Sequence, residues 1–166
     1  MNLYSRRSFL FGCLCFVAGL KLLSPPLASA QIPYPTQPTA DAQRNTSSQV
    51  RSQISWLQNA TRTAPSYGEQ GVGQVAERFQ SVRGAYESFK QTLGPRQLAD
   101  GGNALAELDA GLNIIQESFE NFRTDVAGGR SVNSALRDLC QVLREASQLW
   151  LQEFNKTCSR LRTGWH

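Results

Sequence analysis

Apolar residues recur at alternating spacings of three and four through four long segments of this chain. The clearest run lies in the second segment and has seven members: Val72, Val75, Phe79, Val82, Tyr86, Phe89 and Leu93. This spacing places one apolar stripe along a helix and has the 3.5-residue period of knobs-into-holes packing. We therefore predict four helices, at about 47–62, 72–93, 98–126 and 131–162.

Glycine and proline separate the four segments. Pro65 and Gly68 follow the first, Gly94 and Pro95 divide the second from the third, and Gly128 begins the last break. Glycine suits the position just after a helix, and proline suits the first turn of the next one. Short connections place consecutive helices side by side in opposite directions. The predicted fold is all-α, an up-down-up-down antiparallel four-helix bundle over residues 46–162.

Local signals refine the helix boundaries. Thr46 and Gln49 have the spacing of a capping box, which predicts that the first helix starts there. The run Asp100-Gly101-Gly102-Asn103 predicts either a kink or a short capping segment at 95–102, with Asn103 as a candidate cap at which the third helix resumes. Residues 31–45 begin with a proline-rich stretch and are predicted to form a flexible tether, and 163–166 form a C-terminal tail.

The first 30 residues have the pattern of an export signal. The run Ser5-Arg6-Arg7-Ser8-Phe9-Leu10-Phe11 is followed by apolar residues up to Leu20. This segment resembles the bacterial twin-arginine (Tat) signals of pattern S-R-R-x-F-L-K and departs from it at Phe11. The resemblance implies that the Tat translocase exports the chain to the periplasm and recognises Arg6, Arg7, Phe9 and Leu10.

An ordinary secretory signal is the alternative, because it also carries positive charge before its apolar core. The short core diluted by Gly12 and Gly19, and Lys21 after it, favour the Tat interpretation. Cleavage is expected at the small residues Ala28 and Ala30, which would make Gln31 the new N-terminus. The apolar core is shorter than the roughly 20 residues of a spanning helix, which disfavours a membrane span. An uncleaved signal that anchors the chain in the membrane is the weaker alternative.

Removal of the signal changes the charge of the protein. The whole chain has a net charge of +4, but residues 1–30 contain three basic residues (Arg6, Arg7 and Lys21) and no acidic one, so the mature chain has +1. The basic character of the precursor therefore belongs to the signal. It gives no reason to expect binding to nucleic acid.

Helical bundles often hold metals or haem, and those groups need particular ligands. The sole histidine is His166, and no Cys-x-x-Cys-His run occurs. Glu117 and Glu120 take outward positions in the heptad pattern. We therefore predict no cofactor, no metal and no catalytic residue, since nucleophilic catalysis also needs a base beside the nucleophile.

The run Leu149-Trp150-Leu151 is the strongest sign of a partner. Successive side chains on a helix point about 100° apart, so three consecutive large apolar residues cannot all face one core. Part of this run is predicted to be exposed or to meet a partner.

Two cysteines survive cleavage, Cys140 and Cys158, and they lie 18 residues apart on the predicted fourth helix. Their separation is about 27 Å at 1.5 Å per residue, whereas a disulfide needs Cα atoms within about 7 Å. No intramolecular disulfide is expected. They are either small apolar residues beside the core or, in a two-fold dimer whose helices cross at Leu149, the two ends of intermolecular disulfides.

Three classes of function stay open. The first is an exported, non-catalytic protein that acts as an interaction, scaffold or accessory subunit in the cell envelope, with an unknown protein partner or as a homodimer. The second is a binder of a small apolar molecule in the bundle core, which needs a cavity. The third is an enzyme of unrecognised type, which needs a concave cluster of perturbed polar groups. The first requires only an apolar patch, and it is our prediction.

Overall fold

The protein folds into four α-helices, with no strand among residues 40–163, the part that the computed structural model describes. The helices are α1 (Ala40–Thr63), α2 (Glu69–Gln91), α3 (Pro95–Ala127) and α4 (Val132–Thr163). A short 3-10 helix, Ala64–Ser66, connects α1 to α2. The all-helical prediction is confirmed. The predicted signal peptide, tether residues 31–39 and tail residues 164–166 lie outside the described residues.

The start of α1 differs from the prediction. The helix begins at Ala40, so residues 40–45 are helical and the predicted tether boundary at 45 is wrong. Thr46 is not the cap: its hydroxyl donates to the Ala42 carbonyl oxygen at 2.9 Å, as within a continuous helix. The first turns of α1 are held by tertiary contacts, because the Gln43 side-chain amide donates to the Thr92 carbonyl oxygen at 2.7 Å.

The predicted short capping segment at the start of α3 is absent. The helix runs through Gly101 and Gly102 without a break, so Asn103 caps nothing. Gly101 is buried, and a Cβ atom there would lie 2.7 Å from Cδ2 of Leu161. This glycine therefore permits close approach of α3 and α4, although glycine has a low helix propensity.

The predicted apolar stripes form a single core. α1 packs mainly on α2, α3 mainly on α4, and α1 also contacts α4. Fully buried side chains come from all four helices: Ile54, Leu57, Val75, Phe79, Val82, Tyr86, Leu108, Ile115, Leu136, Leu143 and Phe154. Burial of a side chain of this size stabilises a fold by about 1.5–3 kcal/mol. The buried apolar stripes therefore make the largest favourable contribution to the free energy of folding.

Aromatic rings join α2 to α4 at the centre of this core. Trp150 stacks on Phe154 with centroids 5.3 Å apart, and Tyr86 and Trp150 form a T-shaped pair with centroids 5.4 Å apart. Phe89 packs edge-on against Phe154 at 5.1 Å. We call Tyr86, Phe89, Trp150 and Phe154 the aromatic cluster.

Two polar contacts tie α3 to the aromatic cluster. The Trp150 indole nitrogen donates to the Leu108 carbonyl oxygen at 2.8 Å, and the Tyr86 hydroxyl donates to the Leu105 carbonyl oxygen at 3.2 Å. Buried polar groups are costly unless they are hydrogen-bonded, and each of these side chains has its partner.

Two glycines near the start of α2 allow a test of how α2 packs against the connection from α1. A Cβ atom at Gly71 would overlap the backbone oxygen of Ala64, whereas nothing lies within 4 Å of a Cβ atom at Gly73 on the same helix. We expect Gly71→Ala to lower the free energy of unfolding by about 1–3 kcal/mol, because the 3-10 helix must move. Gly73→Ala should raise it by about 0.5–1 kcal/mol through helix propensity. Urea denaturation of both variants measures the difference, and an equal response at the two positions would contradict this packing.

Candidate functional site

The three residues of the predicted partner run have different environments. Trp150 is only 4% exposed and belongs to the aromatic cluster, while Leu151 is half-buried. Leu149 is 63% exposed. The predicted surface is therefore not formed by all three residues: Trp150 is a core residue, and Leu149 is the one that faces solvent.

Two further aliphatic residues are exposed near Leu149. Val142 is 45% exposed and lies seven residues before Leu149, so both are on one stripe of α4. The opposite flank of α4 meets α1, where Arg51 donates to Asn155 at 2.8 Å. Val142 and Leu149 therefore lie on the flank toward α3.

Ile114 of α3 completes this patch. It is 58% exposed and lies three residues after Gly111, where a Cβ atom would be 2.8 Å from Cδ1 of Trp150. Ile114 is thus on the flank of α3 toward α4, level with the α4 segment between Val142 and Leu149. We call Ile114, Val142 and Leu149 the α3–α4 face.

Sequence reasoning missed Ile114 and Val142. A signal for them was present, because each stands beside a core residue (Ile115 and Leu143) in a pair of consecutive large apolar side chains. The argument that picked out Leu149 applies equally to these pairs, since two neighbours on a helix cannot share one narrow stripe.

Carboxylates border the α3–α4 face. Glu107 lies seven residues before Ile114, and Glu145 lies three after Val142 and four before Leu149, so each shares a helix flank with an exposed aliphatic residue. Asp138, four residues before Val142, is ion-paired with Arg130. The resulting surface is aliphatic at its centre and acidic at its edge.

A cluster of charged side chains around Lys90 joins α2 and α3. Lys90 lies 2.8 Å from Glu87 and 3.0 Å from Asp109, and its ammonium lies 4.9 Å from the centroid of the Tyr86 ring. Burial, with the charges of Asp109 and Glu87, raises the pKa of Tyr86 above its usual value. Since the Tyr86 hydroxyl stays protonated and already donates to Leu105, this group links two helices rather than presenting a base.

Cys140 and Cys158 are both buried, and no disulfide joins them. Burial raises the pKa of the Cys140 thiol to about 11, against a smaller lowering by Arg144. Both cysteines are on the α1 flank of α4, opposite Leu149. Their burial agrees with the interpretation of both as small apolar residues beside the core. The alternative, intermolecular disulfides at a two-fold crossing on Leu149, requires both thiols on the Leu149 side of α4, and their place on the opposite side does not favour it.

Two clefts lie away from the α3–α4 face. One, of about 290 Å³, has walls that include Gln43, Ser47, Phe89, Gln97, Cys158 and Leu161 at one end of the helices. The other, of about 580 Å³ and open to solvent, lies beside Trp56, whose ring is 5.5 Å from the Arg78 guanidinium. Both have mixed polar and apolar walls, while the middle of the core is occupied by the aromatic cluster.

Between residues 40 and 163 there is no group of three or more histidine, cysteine, aspartate or glutamate side chains placed to hold a metal ion. Within the same range, no helix has the length and apolarity that crossing a bilayer demands. Comparison with known proteins gives no match to a family model, to a curated protein or to a solved structure.

Proposed function

We propose that this chain is an exported, non-catalytic helical-bundle protein that acts as an interaction, scaffold or accessory subunit in the cell envelope. The proposal rests on one observation, the exposure of Ile114, Val142 and Leu149, which helix phase and the Gly111–Trp150 contact put on adjoining flanks of α3 and α4. Exposed apolar residues scattered singly need no explanation, but a contiguous patch with a polar rim is typical of a protein–protein contact. The partner is a protein of the envelope or a second copy of this chain.

We further propose that the helices follow up-down-up-down order. Support comes from a network in which Gln43, near the start of α1, bonds to Thr92 after α2 and to Gln97 at the start of α3. Gln97 in turn donates to Leu161 near the end of α4. In an up-down-up-down bundle these four positions share one end, and short connections are compatible with that order.

Export is the second part of the proposal, and it rests on the sequence of residues 1–30. The twin-arginine run is proposed to direct the folded chain through the Tat translocase, with cleavage before Gln31. The mature protein then resides in the periplasm, and residues 31–39 link its new N-terminus to α1.

The export proposal is tested by changing the arginine pair. Replacement of Arg6 and Arg7 by lysine keeps the positive charge but removes the guanidinium groups of the Tat pattern. We expect the variant to accumulate as precursor in the cytoplasm, measured by cell fractionation and immunoblotting. Normal export of the variant, together with loss of wild-type export when the general secretory route is blocked, would contradict the assignment.

The interaction proposal is tested by site-specific photo-crosslinking in the source cell. A benzophenone amino acid at position 149 should give a light-dependent adduct of defined mass, because that side chain lies in the contact. The same probe at position 98 is the matched control, since Leu98 is an exposed leucine and lies 11 residues, or about three turns, before Asp109, which pairs with Lys90 of α2. Val142→Asp should reduce the adduct from position 149 several-fold, as a charge in an apolar contact does.

Two results would contradict the interaction proposal. One is the absence of an adduct from all three positions 114, 142 and 149. The other is an equal set of adducts from position 98, because that would show capture without a specific surface.

A further inference from the structure

We propose that the α3–α4 face binds an amphipathic helix whose apolar stripe is bordered by lysine and arginine. This inference rests on the proposed function and names the chemistry of its partner. Its first support is the shape of the face. Val142 and Leu149 are two helical turns apart, about 10.5 Å along α4, and Ile114 lies on the adjoining helix at a level between them.

A helix laid along the groove between α3 and α4 can match that arrangement. Helices that dock in grooves use apolar anchors at positions i, i+3 or i+4, and i+7, which repeat over the same two turns. The spacing along α4 therefore suits a helical occupant that presents one apolar stripe.

The second support is the charge around the face. Residues three, four or seven positions apart on a helix lie on the same side of it. Five carboxylates have this relation to Ile114, Val142 or Leu149: Glu107, Glu117, Asp138, Glu145 and Glu153. Asp138 is paired with Arg130, and Glu153 is paired with Lys156 at 2.6 Å. Glu107, Glu117 and Glu145 therefore supply the net negative charge at this border. Complementary charge favours an occupant with positive residues beside its apolar stripe.

The same charges argue against two other occupants. A two-fold dimer through this face would place its acidic border against an identical acidic border. An anionic membrane surface attracts basic segments and would be repelled by these carboxylates. A basic helix meets neither obstacle.

The test uses two synthetic helices and the exported protein purified from cells. The first peptide has about three heptads, with leucine at spacings of three and four and lysine on both sides of that stripe; the second has glutamate in place of lysine. Fluorescence anisotropy at low and at physiological salt gives the two dissociation constants. We expect the lysine helix to bind at least about 10-fold more tightly than the glutamate helix, with a preference that falls as salt rises.

Paired variants locate the site. Leu149→Asn should weaken binding of the lysine helix at least about 5-fold, whereas Leu98→Asn should leave it within about 2-fold. Glu145→Gln should reduce the salt dependence, and Glu77→Gln, an exposed acid on α2, should not. Unchanged helical circular dichroism shows that each variant is folded.

Several results would overturn the inference. Two concern the peptides: equal affinity for the lysine and glutamate helices, or affinity for the lysine helix that Leu149→Asn does not change. Two concern other occupants: binding of the protein to anionic lipid vesicles that Leu149→Asn abolishes, or a dimer in sedimentation that Leu149→Asn dissociates. If the peptides fail while position 149 still crosslinks to a protein partner, only the basic-helix inference is lost. If crosslinking fails as well, the interaction function is lost with it.

Discussion

The contact between Trp150 and α3 is the constraint on which the rest of the structure depends. The indole is the largest side chain in the core, and it is accommodated because Gly111 has no side chain in its path and because the Leu108 carbonyl oxygen accepts its N–H at 2.8 Å. Trp150 also packs on Tyr86 of α2 and on Phe154, whose ring lies 5.8 Å from the Arg51 guanidinium of α1. One residue thus fixes the separation and register of α3 and α4 and connects them to the other two helices.

The register set by Trp150 also creates the exposed face. With Trp150 turned into the core, the preceding Leu149 must point about 100° away, to the outer side of the α3–α4 groove. Val142 follows from the same helix phase two turns earlier, and Ile114 follows from Gly111 on α3. The patch is therefore a consequence of how the core is filled. A sequence that needed only a stable fold has no requirement for leucine, valine or isoleucine at these positions, because polar side chains would satisfy the same helices.

The sequence was sufficient to predict the helices and most of the core, because alternate spacings of three and four specify a buried stripe whatever lies opposite it. It failed where tertiary contacts determine the outcome. Gly101 and Gly102 suggested a break, but α3 is continuous there, and a Cβ atom at Gly101 would meet Leu161 of α4. Thr46 suggested a helix start, but the bonds of Gln43 to Thr92 and Gln97 extend α1 to Ala40.

The candidate surface was predicted only in part, for a similar reason. Leu149 was identified because three large apolar residues stand together, but the choice of Trp150 as the buried member depends on Gly111, which is 39 positions away in the chain. Ile114 and Val142 were missed because two-residue apolar runs are frequent in buried helices. The burial of both cysteines on the α1 flank depends on α1 packing against α4, which no spacing within α4 reveals.

A double-mutant cycle between Gly111 and Trp150 tests the central contact most directly. Gly111→Ala in the wild-type background should lower the free energy of unfolding by about 1–2 kcal/mol, because its methyl group would lie 2.8 Å from the indole. In the Trp150→Leu background the same change should raise it by about 0.5–1 kcal/mol, since only the gain in helix propensity remains. Urea denaturation of the four proteins gives both values. An effect of Gly111→Ala that is the same in both backgrounds would show that Trp150 does not pack on Gly111, and would contradict the register from which the α3–α4 face is built.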